Sequence, residues 1–232
     1  MRRFSWLFVG LVLLGSHAGG ATPTENRAGA IKVEWARLKT GSRYWDRHSE
    51  RDVQLLRQMR TETSLEIADT WHAARANEPE ELSQHPFIFS EGLASLTEPE
   101  LGHVTEYLRR GGFLLIDACV AVSINPDAQQ FLDTQIRMLT RKLPDIRVEV
   151  LKPEHEVFSI YFKMAQFPPQ TRSGSNPRWA NGSTEPLRAV FLGERMIAVV
   201  SLSGFQCGFA QNPRPGDVMR MVTNIYIYAM SR

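Results

Sequence analysis

Residues 96–119, LTEPELGHVTEYLRRGGFLLIDAC, state a helix, a turn and a buried strand in one uninterrupted passage, and they limit the fold more than any other stretch. Thr97 with Glu100 makes a capping box, and Leu96 ahead of it can staple onto Leu101. Glu98 and Glu100 sit at the positive end of the helix dipole, Arg109 and Arg110 at the negative end. Leu101, Val104 and Leu108 share one face. Gly111-Gly112 supplies a left-handed stop. The apolar run Phe113-Leu114-Leu115-Ile116 then has the pattern of a parallel strand covered on both faces. Asp117 ends it. Ligands of open α/β sheets sit at the carboxyl ends of the strands, so Asp117 and Cys119 occupy the most favoured address in the chain.

The rest of the chain reads as further strands and helices in alternation. Strands are predicted at 31–36, at Leu65 to Ile67 ending by Asp69, at 86–89 and at 146–150. A helix capped by Ser49 with Asp52 uses Val53, Leu56 and Met59, and 70–84 reads as loop with one helical turn. Asn125-Pro126-Asp127 opens a helix carrying Leu132, Ile136 and Leu139, and Pro144 stops it. Residues 189–192 and 196–202 flank Gly193-Glu194 as a hairpin, and a helix over about 217–230 closes the chain. This alternation predicts a mostly parallel sheet with helices on both faces. The segments 152–186 and 203–216 are loops rich in Gly and Pro.

Arg2 and Arg3, an apolar run from Phe4 to Gly15 and small residues after it read as a signal peptide over residues 1–21. The run is short of the roughly 20 residues a spanning helix needs. A flexible lead-in over 22–30 and a single domain over 31–232 follow, so the expectation is a periplasmic or otherwise exported protein with no transmembrane segment after processing. The 27 Lys and Arg include the two of the leader, and removing it leaves 25 against 25 acids. A neutral chain without a basic, aromatic-studded stripe does not suit nucleic acid. The two cysteines, Cys119 and Cys207, leave a disulfide and two free thiols as open alternatives.

Pro86-Phe87-Ile88-Phe89 with Gly92, Tyr107-Leu108 with Gly111-Gly112-Phe113-Leu114 and Asp117, His155 with Phe158, Gly193 with Arg195, and Asn224 with Tyr228 together resemble the bacterial domain of unknown function family DUF4159 over nearly all of the mature sequence. The resemblance implies a flavodoxin-like, class I glutamine amidotransferase-like fold, a three-layer sandwich with a mostly parallel sheet. It implies no established activity. The family pattern has a second acid after the strand-end aspartate, where this chain has Ala118.

Two kinds of function remain. One is a cysteine-dependent hydrolase or amidotransferase-like enzyme with Cys119 as nucleophile and His155 as base, oriented by Glu154 or Glu156. The glycines of a nucleophile elbow are replaced by Asp117 and Ala121, which argues against it. The other, favoured here, is an exported non-catalytic module that binds a small molecule or docks an envelope protein. Its ligand-binding candidates are Asp117, His155, Glu91, Tyr44 and Trp45, with Trp179 in a later loop. A metal could draw on Asp117, His155, Glu154, Glu156, Asp69 or Glu91, but no paired ligand spacing occurs and no metal or cofactor is expected. His103 reads as solvated on the polar side of its helix.

Overall fold

A computed structural model describes residues 33–117, 128–164, 186–206, 208 and 216–232. Its seven strands form one sheet in the order β2-β1-β3-β4-β7-β6-β5. They are β1 (Val33–Lys39), β2 (Ile67–Arg75), β3 (Phe87–Ser90), β4 (Phe113–Asp117), β5 (Ile146–Val150), β6 (Arg188–Leu192) and β7 (Arg195–Ser201). The described helices are α1 (Asp52–Glu62), α2 (Pro79–Ser83), α3 (Glu98–Arg109), α4 (Ala128–Thr140) and α5 (Gly216–Met230). The protein is thus an α/β structure with a mostly parallel sheet. β2, β1, β3, β4 and β7 pair in parallel, and β6 and β5 complete the sheet antiparallel.

Period-two alternation along the central strands divides the core. Ala36, Leu38, Ile88, Leu114, Ile116 and Val200 face a layer that includes Leu101, Val104 and Leu108 of α3 and Leu132 and Leu139 of α4. Trp35, Phe87, Phe89, Phe113 and Leu115 face the opposite layer with Leu55, Leu56 and Met59 of α1 and Val222 and Tyr226 of α5. There Phe87 stacks on Phe113 at 5.7 Å between centroids and meets Tyr226 edge-on at 5.0 Å.

The α3–β4 passage folds as its residues dictate. The Glu100 carboxylate accepts the Thr97 N–H and hydroxyl at 2.8 Å each, closing the capping box. Leu96 and Leu101 join the same buried cluster. Gly111 has φ +113, and a Cβ on Gly112 would lie 2.3 Å from the Tyr107 ring. The Tyr107 hydroxyl donates to Phe113 O and accepts from Phe113 N. Arg195, beyond the β6–β7 turn at Gly193 (φ +59), donates to the carbonyls of Leu108 and Gly112 and so satisfies the end of α3.

Four expectations change. β2 runs to Arg75 rather than stopping at Asp69, because all of Trp35 to Lys39 pairs with Trp71 to Arg75, and the expected helical turn follows it as α2. β1 runs on to Lys39 rather than ending at Ala36. Asp52 does not partner Ser49 in a helix cap: a 3₁₀ turn occupies Ser49–Arg51 and Asp52 is wholly buried. His103 is half-buried and its Nδ1 lies 3.1 Å from Ala76 O, tying α3 to the end of β2 rather than facing solvent. Cys119 and Cys207, and with them the choice between a disulfide and two free thiols, Trp179, the helix start at 125–127 and the leader fall outside the described residues.

Candidate functional site

The winding of the sheet selects one place on its carboxyl edge. From β1 the chain crosses to β2 through α1 on one face, and from β2 to β3 through α2 on the other. β1 and β3 are neighbours whose following loops part at this point, the crevice position in doubly wound sheets. The loop after β1 carries Tyr44, Trp45 and Arg47, and the loop after β3 carries Glu91.

Arg37 organises the place from below. It continues the alternation of Trp35 into the buried face, with no exposed surface. Its Nη2 donates to Asp52 Oδ1 at 2.7 Å and its Nε to Oδ2 at 2.5 Å, while Trp35 Nε1 donates to Oδ2 at 2.9 Å. The remaining nitrogen, Nη1, donates to Arg47 O at 3.1 Å. The guanidinium lies 4.9 Å above the Phe89 ring centroid. A planar cation with five donors can hold a carboxylate and a loop carbonyl together, which a lysine could not. Gln206 Nε2 donates to the same Arg47 carbonyl, so the β1 loop is fastened both from its own strand and from the loop after β7.

Asp117 is completely buried. Its two oxygens accept the backbone N–H of Phe205 and of Gln206, each at 3.0 Å. Burial pushes its carboxyl above the ordinary range, opposed by the N–H groups, the Ser201 hydroxyl and Arg37. Asp117 therefore anchors the start of the helical turn after β7, far along the chain from its own strand.

Glu91 differs from both. Its Oε1 is buried and has no hydrogen-bond partner among the described residues. Burial pushes its carboxyl up to about 8, with Arg37 opposing and Asp117 adding to the rise. Gln206 Oε1 is likewise buried without a partner. Among the described residues two acceptor-capable oxygens thus lie unsatisfied beside a loop whose Arg47 carbonyl is already taken by Arg37 and Gln206, an arrangement that costs stability until a donor arrives. Trp45, half-buried, meets Trp71 edge-on at 6.0 Å and lies under Lys39, and Tyr44 lies between Arg43 and Arg47.

His155 joins a different neighbourhood. β5 runs in the same direction as β4, but β7 and β6 lie between them. His155 Nδ1 accepts the Val157 N–H at 3.2 Å, its ring lies 5.5 Å from Tyr228 of α5, and Glu156 beside it pairs with Arg232. Burial lowers its pKa. An imidazole whose Nδ1 accepts this bond carries its proton on Nε2, and no lone pair is left to act as a base. The structure therefore brings Glu91 and Asp117 together near the Tyr44–Trp45 loop and leaves His155 out. Of the metal candidates, Asp69 pairs with Arg60 at the surface and Glu154 is exposed. Among the described residues no three His, Cys, Asp or Glu side chains form a metal-holding group. Also among them, no helix is long and apolar enough to cross a membrane.

Arg37, Ser201 and Gln206 were not singled out in the sequence, and Asp52 only as a helix cap. An arginine two residues after Trp35 on an alternating strand was the available signal, and it is lost if the strand is ended at Ala36. Asn224, part of the family-like pattern, proves structural: its side chain donates to Phe162 O and accepts from Phe162 N, both at 2.8 Å.

A cavity of about 450 Å³ lies elsewhere, at the amino ends of β3 and β4, lined by His85, Pro86, His103, Glu106, Tyr107 and Gly112 among others. The switch-point chemistry is at the opposite end of these strands. We place the candidate site there, because the cavity's Glu106 is already paired with Arg110, and Tyr107 with Phe113.

Comparison with known families gives one result: the sequence model described as domain of unknown function (DUF4159) matches residues 34–230. No curated protein matches.

Proposed function

The chain belongs to the DUF4159 family, and from that premise we propose that it is an exported, non-catalytic binding or accessory module that takes its ligand at the carboxyl edge of β1 and β3. The flavodoxin-like, glutamine amidotransferase-like classification belongs to the same proposal and is supported by the strand order β2-β1-β3-β4. One observation carries the reading: Glu91 Oε1 and Gln206 Oε1 are buried at the switch point without partners among the described residues. They suit a small molecule or peptide that brings N–H or O–H donors, with Tyr44 and Trp45 available for stacking. The fixed core beneath them, Arg37 with Asp52 and Asp117 with Gln206, keeps those oxygens in place before binding. Against the enzyme reading, the nitrogen that would serve His155 as a base is engaged with Val157.

The test is co-purification of the tagged protein from the envelope fraction. A small molecule or partner retained by the wild type and by Cys119→Ser, and lost from a folded Glu91→Leu, supports the module. A Cys119→Ser variant that folds normally and loses all function restores the enzyme. Mass spectrometry of the exported protein should show an N-terminus near Gly19 or Thr22, and an intact Met1 in the membrane fraction would overturn export with cleavage.

A further inference from the structure

β5 ends the described sheet and pairs on one side only, antiparallel to β6. Most edge strands are short, charged or covered, because a bare row of N–H and C=O groups recruits other strands. β5 has the charges, but in an unusual arrangement. Its sequence is Ile146-Arg147-Val148-Glu149-Val150. Val148 and Val150 are 37% and 51% exposed, two of the three large hydrophobics exposed among the described residues. On the opposite face of the strand Arg147 and Glu149 stand side by side as an ion pair, with Arg147 over the Phe191 ring and its Nη2 donating to Gly193 O at 3.5 Å.

We propose that this edge is a docking surface for a second copy of the chain, with β5 pairing antiparallel to β5 about a two-fold axis at Val148. The register follows from the sequence alone. An antiparallel pair centred on Val148 sets Val148 opposite its own copy, Ile146 opposite Val150, and Arg147 opposite Glu149. By symmetry each of the last two pairings occurs twice, as an isologous interface requires. Directly opposed residues share a face, so the three aliphatic pairs line one side and the two ion pairs the other. A shift of one residue either way would put Arg147 opposite Val148 or Val150 and lose every charge pair. The charges that protect an edge against unrelated strands therefore favour its own copy, which makes the second copy, rather than an unrelated peptide, the occupant of this surface.

Sedimentation velocity of the purified protein over about 1 µM to 1 mM tests this, the range in which weak association falls. The mass is expected to rise with concentration toward twice that of the monomer. Arg147→Glu alone and Glu149→Arg alone, each placing like charges opposite each other, should remain monomeric throughout. The double variant Arg147→Glu/Glu149→Arg should recover the dimer. Val148→Lys, which sets two ammonium groups on the axis, provides a second disruption should a reversal disturb folding, and circular dichroism checks the fold of each. A monomer at every concentration overturns the proposal, as does a dimer indifferent to the single reversals or one that the double variant fails to restore.

Discussion

Arg37 and Asp52 meet with both side chains buried, the guanidinium closing on both carboxylate oxygens at 2.7 and 2.5 Å while its last nitrogen holds the Arg47 carbonyl. The pair joins the end of β1, the start of α1 and the loop carrying Tyr44 and Trp45 into one unit. Asp52→Ala should cost about 3–5 kcal/mol, because it strands a buried cation. Arg37→Met/Asp52→Leu should cost much less, since neither charge is then left alone. Denaturant midpoints of both variants check the ordering, and a double variant weaker than Asp52→Ala would show that the pair contributes more than mutual compensation.

Glu91 sets a pH dependence. Its folded-state carboxyl lies at about 8 against an unfolded value of 4.5, so the folded protein holds the proton through that interval and the unfolded chain does not. Its contribution is present below pH 4.5 and lost as the pH rises through 8. Asp52 and Asp117 shift in the same direction, and comparison with a variant isolates Glu91. Glu91→Gln, neutral at every pH, should gain stability relative to the wild type between pH 5 and 9. Equal pH profiles for the two proteins in chemical denaturation would contradict the buried, unpartnered carboxyl.

Gly112 should tolerate no side chain. Gly112→Ala drives a methyl into the Tyr107 ring, where the ring is held by its hydroxyl on the Phe113 backbone. Overpacking of this kind costs about 1–3 kcal/mol. Tyr107→Phe should cost about 0.5–1.5 kcal/mol, since Phe113 N keeps its bond to Pro86 O. Thermal unfolding of the two variants and of Gly112→Ala/Tyr107→Leu tests the clash: the leucine should recover part of the alanine's loss.

Leu115 and Thr97 rank the core against the cap. Leu115 has no exposed surface in the layer under α1 and α5, and Leu115→Ala should cost about 2–5 kcal/mol. Thr97→Ala, at an exposed cap, should cost about 1 kcal/mol. The reverse order in urea midpoints would remove β4 from the core.

The elements that were legible in the residues are those whose signals are local. The Thr97 cap, the Gly111 stop, the β6–β7 turn at Gly193 and the helical period of α5 each depend on neighbours within a few positions, and each forms where it was expected. Asp117 and Glu91 were legible as an address, because strand polarity alone puts them at the carboxyl edge. Their roles were not. Asp117 is spent on two N–H groups far along the chain, Glu91 owes its raised carboxyl to burial beside Arg37 and Asp117, and His155 follows a strand of the right direction at the wrong edge. Asp52 looked like a cap, and Arg37 lay just past the expected end of its strand. Their meeting depends on how α1 settles against β1, and a polar residue's partner is chosen by which faces are brought together in space. Period and capping are properties of a few successive residues and can be read in one dimension. The order of strands, the pairing of buried charges and the desolvation of a carboxyl arise only when distant segments exclude water together, and only the tertiary structure decides them.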